Sequence, residues 1–64
     1  MIINGIEKEY PVGITLSEVL AKEGYQPEQI AVECNEEIVP KAEYQTYILN
    51  DADQLEVVKF MGGG

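Results

Sequence analysis

Few side chains in this 64-residue chain are of the types that carry out chemistry. The chain has one cysteine, Cys34, and no histidine, so neither a Ser–His nor a Cys–His nucleophilic arrangement can form. Cys34 ends the alternating run Ile30-Ala31-Val32-Glu33-Cys34, a position that favours a small buried apolar residue over a reactive thiol. We therefore predict no catalytic residue in this chain and do not expect it to be an enzyme.

Acidic side chains are the other candidates, as metal ligands. Asp51 and Asp53 have the spacing of half a calcium loop, but the glycine and the closing glutamate are absent at loop spacing. The composition of residues 50–53 favours a turn instead. Glu36 and Glu37 also fall in an expected turn, where carboxylates are usually solvated. The sequence therefore predicts no metal site.

The remaining reactive group is the C-terminal carboxylate of Gly64. It follows the apolar strand pattern of residues 55–60 and Met61, from which Gly62 and Gly63 separate it. Glycines have no side chain to pack, so we predict a flexible tail over residues 62–64 that can enter a narrow cleft. The carboxylate is ionised at neutral pH and must be activated before a nucleophile can attack it. A frayed terminus or an expression remnant would have the same composition.

The charge of the chain limits the classes of partner. Twelve acidic residues and four lysines give a formal charge of −8. This charge argues against binding to nucleic acid or to anionic membranes, and it favours protein partners with basic docking surfaces. No apolar run approaches the roughly 20 residues of a membrane-spanning helix, and no signal peptide is recognisable. With a single cysteine, these features predict a cytoplasmic protein without an internal disulfide.

Two hairpins and one helix must position the terminus. Asn4-Gly5 is the strongest short signal for a hairpin turn, and residues 6–10 alternate as its return strand. Thr15 and Glu18 have the spacing of a capping box, and Gly24 is a natural end for the helix that begins there. The order of hairpin, helix, hairpin and strand predicts an α+β fold, with one helix across one face of a mixed sheet.

The second half of the chain supplies the second hairpin and the last strand. Residues 30–34 and 38–39 are predicted strands joined by a turn at residues 35–37, and residues 46–49 are expected to be extended. The last strand is expected to begin at Gln54. The apolar spacing places ten residues in the core: Met1, Ile3, Leu16, Val19, Leu20, Ile30, Val32, Leu49, Leu55 and Val57.

Four stretches of the chain also match the pattern of a known family. They are the opening Met1-Ile2-Ile3-Asn4-Gly5, residues 30–40, residues 49–56, and the ending Phe60-Met61-Gly62-Gly63-Gly64. They resemble the ubiquitin-like sulfur carriers of thiamine biosynthesis, the ThiS family. Ala52 and Glu36 depart from the pattern, since the family usually has glycine at both positions. The resemblance implies a β-grasp domain over residues 1–61, with the last strand at the centre of the sheet and parallel to the first.

The same resemblance implies a function. An E1-like adenylating enzyme would activate Gly64 with MgATP, and sulfur from a sulfur-donating protein would then displace AMP to leave a thiocarboxylate. That sulfur would go to the thiazole synthase that makes the ring of thiamine, and the chain itself would bind no cofactor. One alternative is the small subunit of molybdopterin synthase, which is usually longer and commonly has proline shortly before its final Gly-Gly. The other is a ubiquitin-like modifier or a plain interaction module.

The last strand also suggests where a partner docks. If Leu55 and Val57 face the helix, strand alternation places Val58 and Phe60 on the opposite face of the sheet. We predict that these two residues and Met61 form an exposed apolar patch that binds a partner protein just before the tail. The alternative is that Phe60 folds back against the edge of the core.

Overall fold

The structure, a computed structural model, describes residues 1–60, and Met61 and the tail predicted over residues 62–64 lie outside that range. The described chain forms five strands, one α-helix and two short 3₁₀ turns. The strands are β1 (Ile2–Ile3), β2 (Ile6–Glu7), β3 (Ile30–Cys34), β4 (Glu37–Val39) and β5 (Gln54–Lys59), the helix is α1 (Leu16–Lys22), and the 3₁₀ turns are Pro27–Gln29 and Lys41–Glu43.

The five strands form one mixed sheet in the order β2-β1-β5-β3-β4. The last strand lies at the centre, parallel to β1 and antiparallel to β3. Ile3 pairs with Leu55 on one side of β5, and Val32 pairs with Val57 on the other. This is the α+β arrangement that the sequence predicts, and the central position of β5 means that the chain leaves the domain from the middle of the sheet.

The helix is short, and its two ends are fixed by side-chain and backbone hydrogen bonds. The Thr15 hydroxyl accepts a bond from the Glu18 N–H, and the Glu18 carboxylate accepts one from the Thr15 N–H, which completes the predicted capping box. At the other end Gly24 has φ +85°, and its N–H donates to the Ala21 carbonyl, so the helix ends as expected. Seven residues are too few for a stable isolated helix, so α1 depends on packing against the sheet.

The core lies between α1 and one face of the sheet. All ten apolar residues that the sequence places in the core are buried. Ile14, Val39 and Tyr44 are buried as well. The sequence pattern does not single these three out, because each lies at the edge of an element, where periodicity is too short to read.

Three predicted segments differ from the structure. The return strand of the first hairpin is Ile6–Glu7 and not residues 6–10, because the chain turns toward α1, where the Tyr10 hydroxyl donates to the Glu23 carboxylate. Residues 46–49 form no strand beyond a single bridge of Ile48 to Thr15, since the N–H groups of residues 46 and 47 donate to the Glu43 carbonyl and prolong a turn. Residues 35–37 are not all turn, since β4 already begins at residue 37.

Candidate functional site

The end of β5 is where the described chain approaches the predicted reactive terminus. Leu55 and Val57 are buried under α1, whereas Val58 and Phe60 expose 58% and 56% of their surface. The Phe60 N–H donates to the Gln29 carbonyl at 2.8 Å, which continues the line of β5 by one residue. Phe60 therefore does not fold back onto the core. Met61, Gly62, Gly63 and Gly64, which the sequence assigns to the patch and the tail, lie outside the described residues.

The first hairpin turn holds the middle of β5 through the side chain of Asn4. The Val57 N–H donates to Asn4 Oδ1 at 2.7 Å, and Asn4 Nδ2 donates to the Val57 carbonyl oxygen at 3.3 Å. The Asn4 backbone N–H donates to the Leu55 carbonyl at 2.9 Å. Because β1 ends at Ile3, the Asn4 side chain makes the hydrogen bonds to β5 that a further residue of β1 would otherwise make. The sequence signal Asn-Gly indicates the turn but gives no sign of this contact.

The second hairpin turn holds the start of β5 in a similar way. The Gln54 N–H donates to Asn35 Oδ1 at 3.0 Å, and Asn35 Nδ2 donates to Asp53 Oδ1 at 3.0 Å. The other Asp53 oxygen accepts a bond from the Asn50 N–H at 2.8 Å. Asp53 is 8% exposed and serves the turn before β5, as the composition of residues 50–53 predicts. The start and the middle of the central strand are therefore fixed by asparagine side chains from hairpin turns.

The sheet face opposite α1 has no covering element among the described residues, and we call it the open face. Its exposed or half-buried side chains come from all five strands: Ile2, Glu7, Ala31, Glu33, Ile38, Gln54, Glu56 and Val58, with Phe60 just beyond β5. Ile38 is 74% exposed. Apolar side chains so exposed are typical of a contact surface for another protein. Val58 and Phe60 lie at the border between the open face and the exit of the chain, by which we mean the point after β5 where the chain leaves the domain.

The residues considered for catalysis or metal binding do not form such a site in the described part of the chain. Cys34 is buried, and burial raises the pKa of its thiol, so the thiolate needed for nucleophilic chemistry is disfavoured. Within residues 1–60, no group of three or more Cys, Asp or Glu side chains is placed to hold a metal ion. The helix of this same range is too short to cross a membrane.

A second polar group lies at the other end of the sheet, away from Phe60. Lys8 Nζ is 3.5 Å from the Glu23 carboxylate, which also accepts the Tyr10 hydroxyl. Burial, followed by the hydrogen bond and the charge of Glu23, raises the pKa of Tyr10 to about 12. These contacts tie the first hairpin to α1, so they act on the packing of the domain and not on its exit.

A mixed five-stranded sheet with one helix across one face and the last strand at its centre defines a ubiquitin-like, β-grasp protein. A crystal structure of the thiamine biosynthesis protein ThiS from Geobacter metallireducens has this fold, with a TM-score of 0.81 and 29% identity over 98% of this chain and 96% of that one. The model of the ThiS family matches residues 1–64. The chain therefore belongs to the ThiS family, as the resemblance in its sequence implies.

A sulfur carrier protein and two thiazole synthases are among the relatives that are similar to the chain. The sulfur carrier protein ThiS of Bacillus subtilis is 38% identical over 50 residues, which are 78% of this chain and 76% of that protein. A thiazole synthase of Paramagnetospirillum magneticum is 42% identical over all 64 residues, and one of Magnetococcus marinus is 40% identical over 62. The chain spans about a fifth of the length of these two thiazole synthases, which are matched over 20% and 19% of their lengths.

Proposed function

We propose that this protein is a sulfur carrier of thiamine biosynthesis, with the carboxylate of Gly64 as the group that carries sulfur. The observation that supports this most directly is the course of β5 in a chain of the ThiS family. The strand crosses the centre of the sheet, is held at its start and middle by side chains, and leaves the domain at the exposed Phe60, four residues before Gly64. Glycines after a fixed exit would allow the terminal carboxylate to enter the active site of a partner enzyme.

The chemistry requires enzymes supplied from outside. A carboxylate oxygen of Gly64 would attack the α-phosphorus of MgATP in an E1-like adenylating enzyme, and pyrophosphate would leave. Hydrosulfide released by a sulfur-donating protein would then attack the acyl carbon, and AMP would leave with the bonding electron pair. The result is a thiocarboxylate at Gly64. In this scheme the chain binds no cofactor and has no catalytic residue, so it is a protein co-substrate and not an enzyme.

Thiazole synthase is the proposed acceptor of the sulfur. Two proteins of that name contain a region similar to 64 and 62 residues of this chain, which supports a functional connection between the carrier and the synthase. The Bacillus relative, similar over most of its own length, is named a sulfur carrier protein. We propose that the chain delivers its sulfur to the synthase through the same terminus that the adenylating enzyme activates.

The partner surface is proposed to be the patch of Val58, Phe60 and Met61. Val58 and Phe60 are apolar, exposed and directly upstream of the glycines, so an enzyme that binds them also receives the terminus. The formal charge of −8 would speed the approach of a partner with a basic surface, and the apolar patch would provide most of the affinity.

Changes at the terminus test the assignment of Gly64. A variant that lacks Gly64, and one with an additional residue after it, should fold normally because the buried core is formed by residues between Met1 and Val57. Each displaces the reacting carbon by about one residue, ~3.5 Å, from its place in the adenylating enzyme. ATP–pyrophosphate exchange with that enzyme should therefore be lost in both. Undiminished exchange by the extended variant would contradict the proposal.

A further inference from the structure

Two carboxylates face each other in the middle of the open face. Glu33 of β3 is the direct partner of Glu56 of β5. The bonds on either side fix which rungs are hydrogen-bonded: the Asn35 N–H donates to the Gln54 carbonyl, and the Phe60 N–H donates to the Gln29 carbonyl. Hydrogen-bonded and non-hydrogen-bonded pairs alternate along an antiparallel ladder, so Glu33 and Glu56 are a hydrogen-bonded pair. Their Cα atoms are therefore about 5.5 Å apart, and their side chains lie on the same face.

Within residues 1–60, neither a lysine nor the N-terminal ammonium, which contacts Glu7, forms a salt bridge with this pair. The chain has four lysines and no arginine or histidine. Lys8 contacts Glu23, Lys22 is in α1, and Lys41 lines a recess with Ser17 on the helix side. Lys59 alternates to the same side of β5 as Val57. Neither Glu33 nor Glu56 has a salt bridge within residues 1–60, so their repulsion is uncompensated in the free protein.

The neighbours of the pair on β4 and toward Phe60 are apolar. Ile38 is the partner of Glu33 on β4, and Ala31 and Val58 form the next rung toward Phe60. Like charges directly opposite each other destabilise a strand pair, and here each carboxylate also adjoins exposed apolar surface. A cation placed between the two carboxylates would remove the repulsion, and apolar groups around it would cover Ile38 and Val58. The open face is therefore complementary to a basic side chain with apolar neighbours.

We propose that Glu33 and Glu56 together bind one arginine or lysine side chain of the protein that docks on the open face. The inference rests on the proposed function, because it takes the docking protein to be the adenylating enzyme. An arginine fits best, since its planar guanidinium can donate to two carboxylates at once. The acidic pair sets which partner binds and in which register, and the apolar residues toward Phe60 lead that partner to the exit of the chain.

The test compares two double variants with the same change of charge. Glu33→Gln/Glu56→Gln removes the facing pair, and Glu9→Gln/Glu43→Gln removes two exposed carboxylates away from the open face. Both change the formal charge from −8 to −6, as two of the twelve acidic residues are neutralised. The measurements are the urea-induced unfolding of the free chain and a binding titration with the purified adenylating enzyme at several salt concentrations.

The two measurements should change in opposite directions for the facing pair. Removal of the repulsion should raise the folding equilibrium constant of Glu33→Gln/Glu56→Gln about two- to fivefold. Its affinity for the enzyme should fall about tenfold or more, with a shallower salt dependence, because charged hydrogen bonds to the partner are lost. The control variant should lose much less affinity. Equal losses in the two variants, or a loss of affinity together with a loss of stability, would overturn the inference.

The wild-type chain separates this inference from the proposed function. If the enzyme neither binds nor adenylates the wild-type chain, the proposed function fails, and the inference fails with its partner. If wild type is bound and adenylated while Glu33→Gln/Glu56→Gln binds as well as the control variant, the inference alone is wrong.

Discussion

The side chain of Asn4 takes the place of a strand residue beside Val57, to whose backbone it both donates and accepts a hydrogen bond. The two residues are 53 positions apart, so the opening turn of the chain fixes the strand that leads to its far end. Asn4 has φ +51° and Gly5 has φ +84°, the positive values typical of a type I′ turn. The turn conformation directs the Asn4 amide toward β5 and so connects hairpin geometry to the exit.

Replacing Asn4 by glycine should loosen the middle of β5. Asn4→Gly keeps the turn, because glycine accepts a positive φ, but it removes both side-chain bonds to Val57. At about 0.5–1.5 kcal/mol for each bond, we expect a loss of about 1–3 kcal/mol in the free energy of unfolding. Asn4→Asp keeps the acceptor for the Val57 N–H and should lose less. Hydrogen exchange at that amide is the direct readout, and unchanged protection in Asn4→Gly would argue against this role.

The second hairpin turn contains a residue that is strained where it stands. Glu36 has φ +72°, a left-handed value that a side chain with Cβ adopts at a cost of about 1–2 kcal/mol. Glu36→Gly removes that strain but makes the unfolded chain more flexible, so the net gain in stability should be about 0.5–1 kcal/mol. Glu36→Ala removes the carboxylate and keeps Cβ, and it should give no such gain. Equal stability of the two variants in urea would show that the backbone conformation is not the cause.

Phe60 should matter for binding and little for folding. It is 56% exposed at the end of β5, so Phe60→Ala should lower the free energy of unfolding by less than about 1 kcal/mol. Binding to the adenylating enzyme should weaken by about 1–3 kcal/mol, a typical loss for an aromatic anchor. Val12→Ala truncates a 91% exposed apolar residue outside the open face and should change neither quantity. If thermal unfolding shows that Phe60→Ala is strongly destabilised while its folded fraction binds the enzyme with unchanged affinity, Phe60 belongs to the core.

Tyr10 should make the stability of the domain sensitive to alkaline pH. Burial and the contact with Glu23 raise the pKa of Tyr10 in the folded state to about 12 from its ordinary value of 10.0. The stabilisation is therefore fully present below about pH 10 and is lost as the pH rises through about 12. Tyrosinate absorbance compared between wild type and Tyr10→Phe isolates this step, and urea unfolding across the same range should show a shallower decline in the variant. Ionisation of Tyr10 near pH 10 in the folded protein would be inconsistent with its contact with Glu23.

Local signals in the sequence were sufficient for most of the fold. Asn4-Gly5, the capping pair of Thr15 and Glu18, and the alternation around Val57 each act over a few residues, so their patterns can be read without the tertiary structure. The predicted strands were wrong where a contact with a residue distant in sequence determines the course of the chain. The chain leaves β2 early because Tyr10 reaches Glu23 on the helix, and a strand pattern at residues 46–49 gives way to a turn closed by Glu43.

Some features of the candidate site could also be predicted from local patterns, and others could not. Exposure of Val58 and Phe60 follows from strand alternation once Leu55 is placed in the core, and the structure confirms that exposure. The second role of Asn4 and the facing of Glu33 and Glu56 depend on register between strands that are distant in sequence, which no local pattern fixes. The assignment of the reaction to Gly64 comes from the family resemblance and stays a prediction, because the last four residues lie outside the described range.

The most direct test of the account is the intact mass of the protein after incubation with its adenylating enzyme, MgATP and a sulfur donor. We predict a mass gain that corresponds to the replacement of one oxygen by sulfur, located by fragmentation at Gly64 and absent when ATP is omitted. Transfer of that sulfur to thiazole synthase should restore the original mass. An unchanged mass, or an isopeptide-linked adduct between Gly64 and a lysine of another protein, would contradict the sulfur-carrier function.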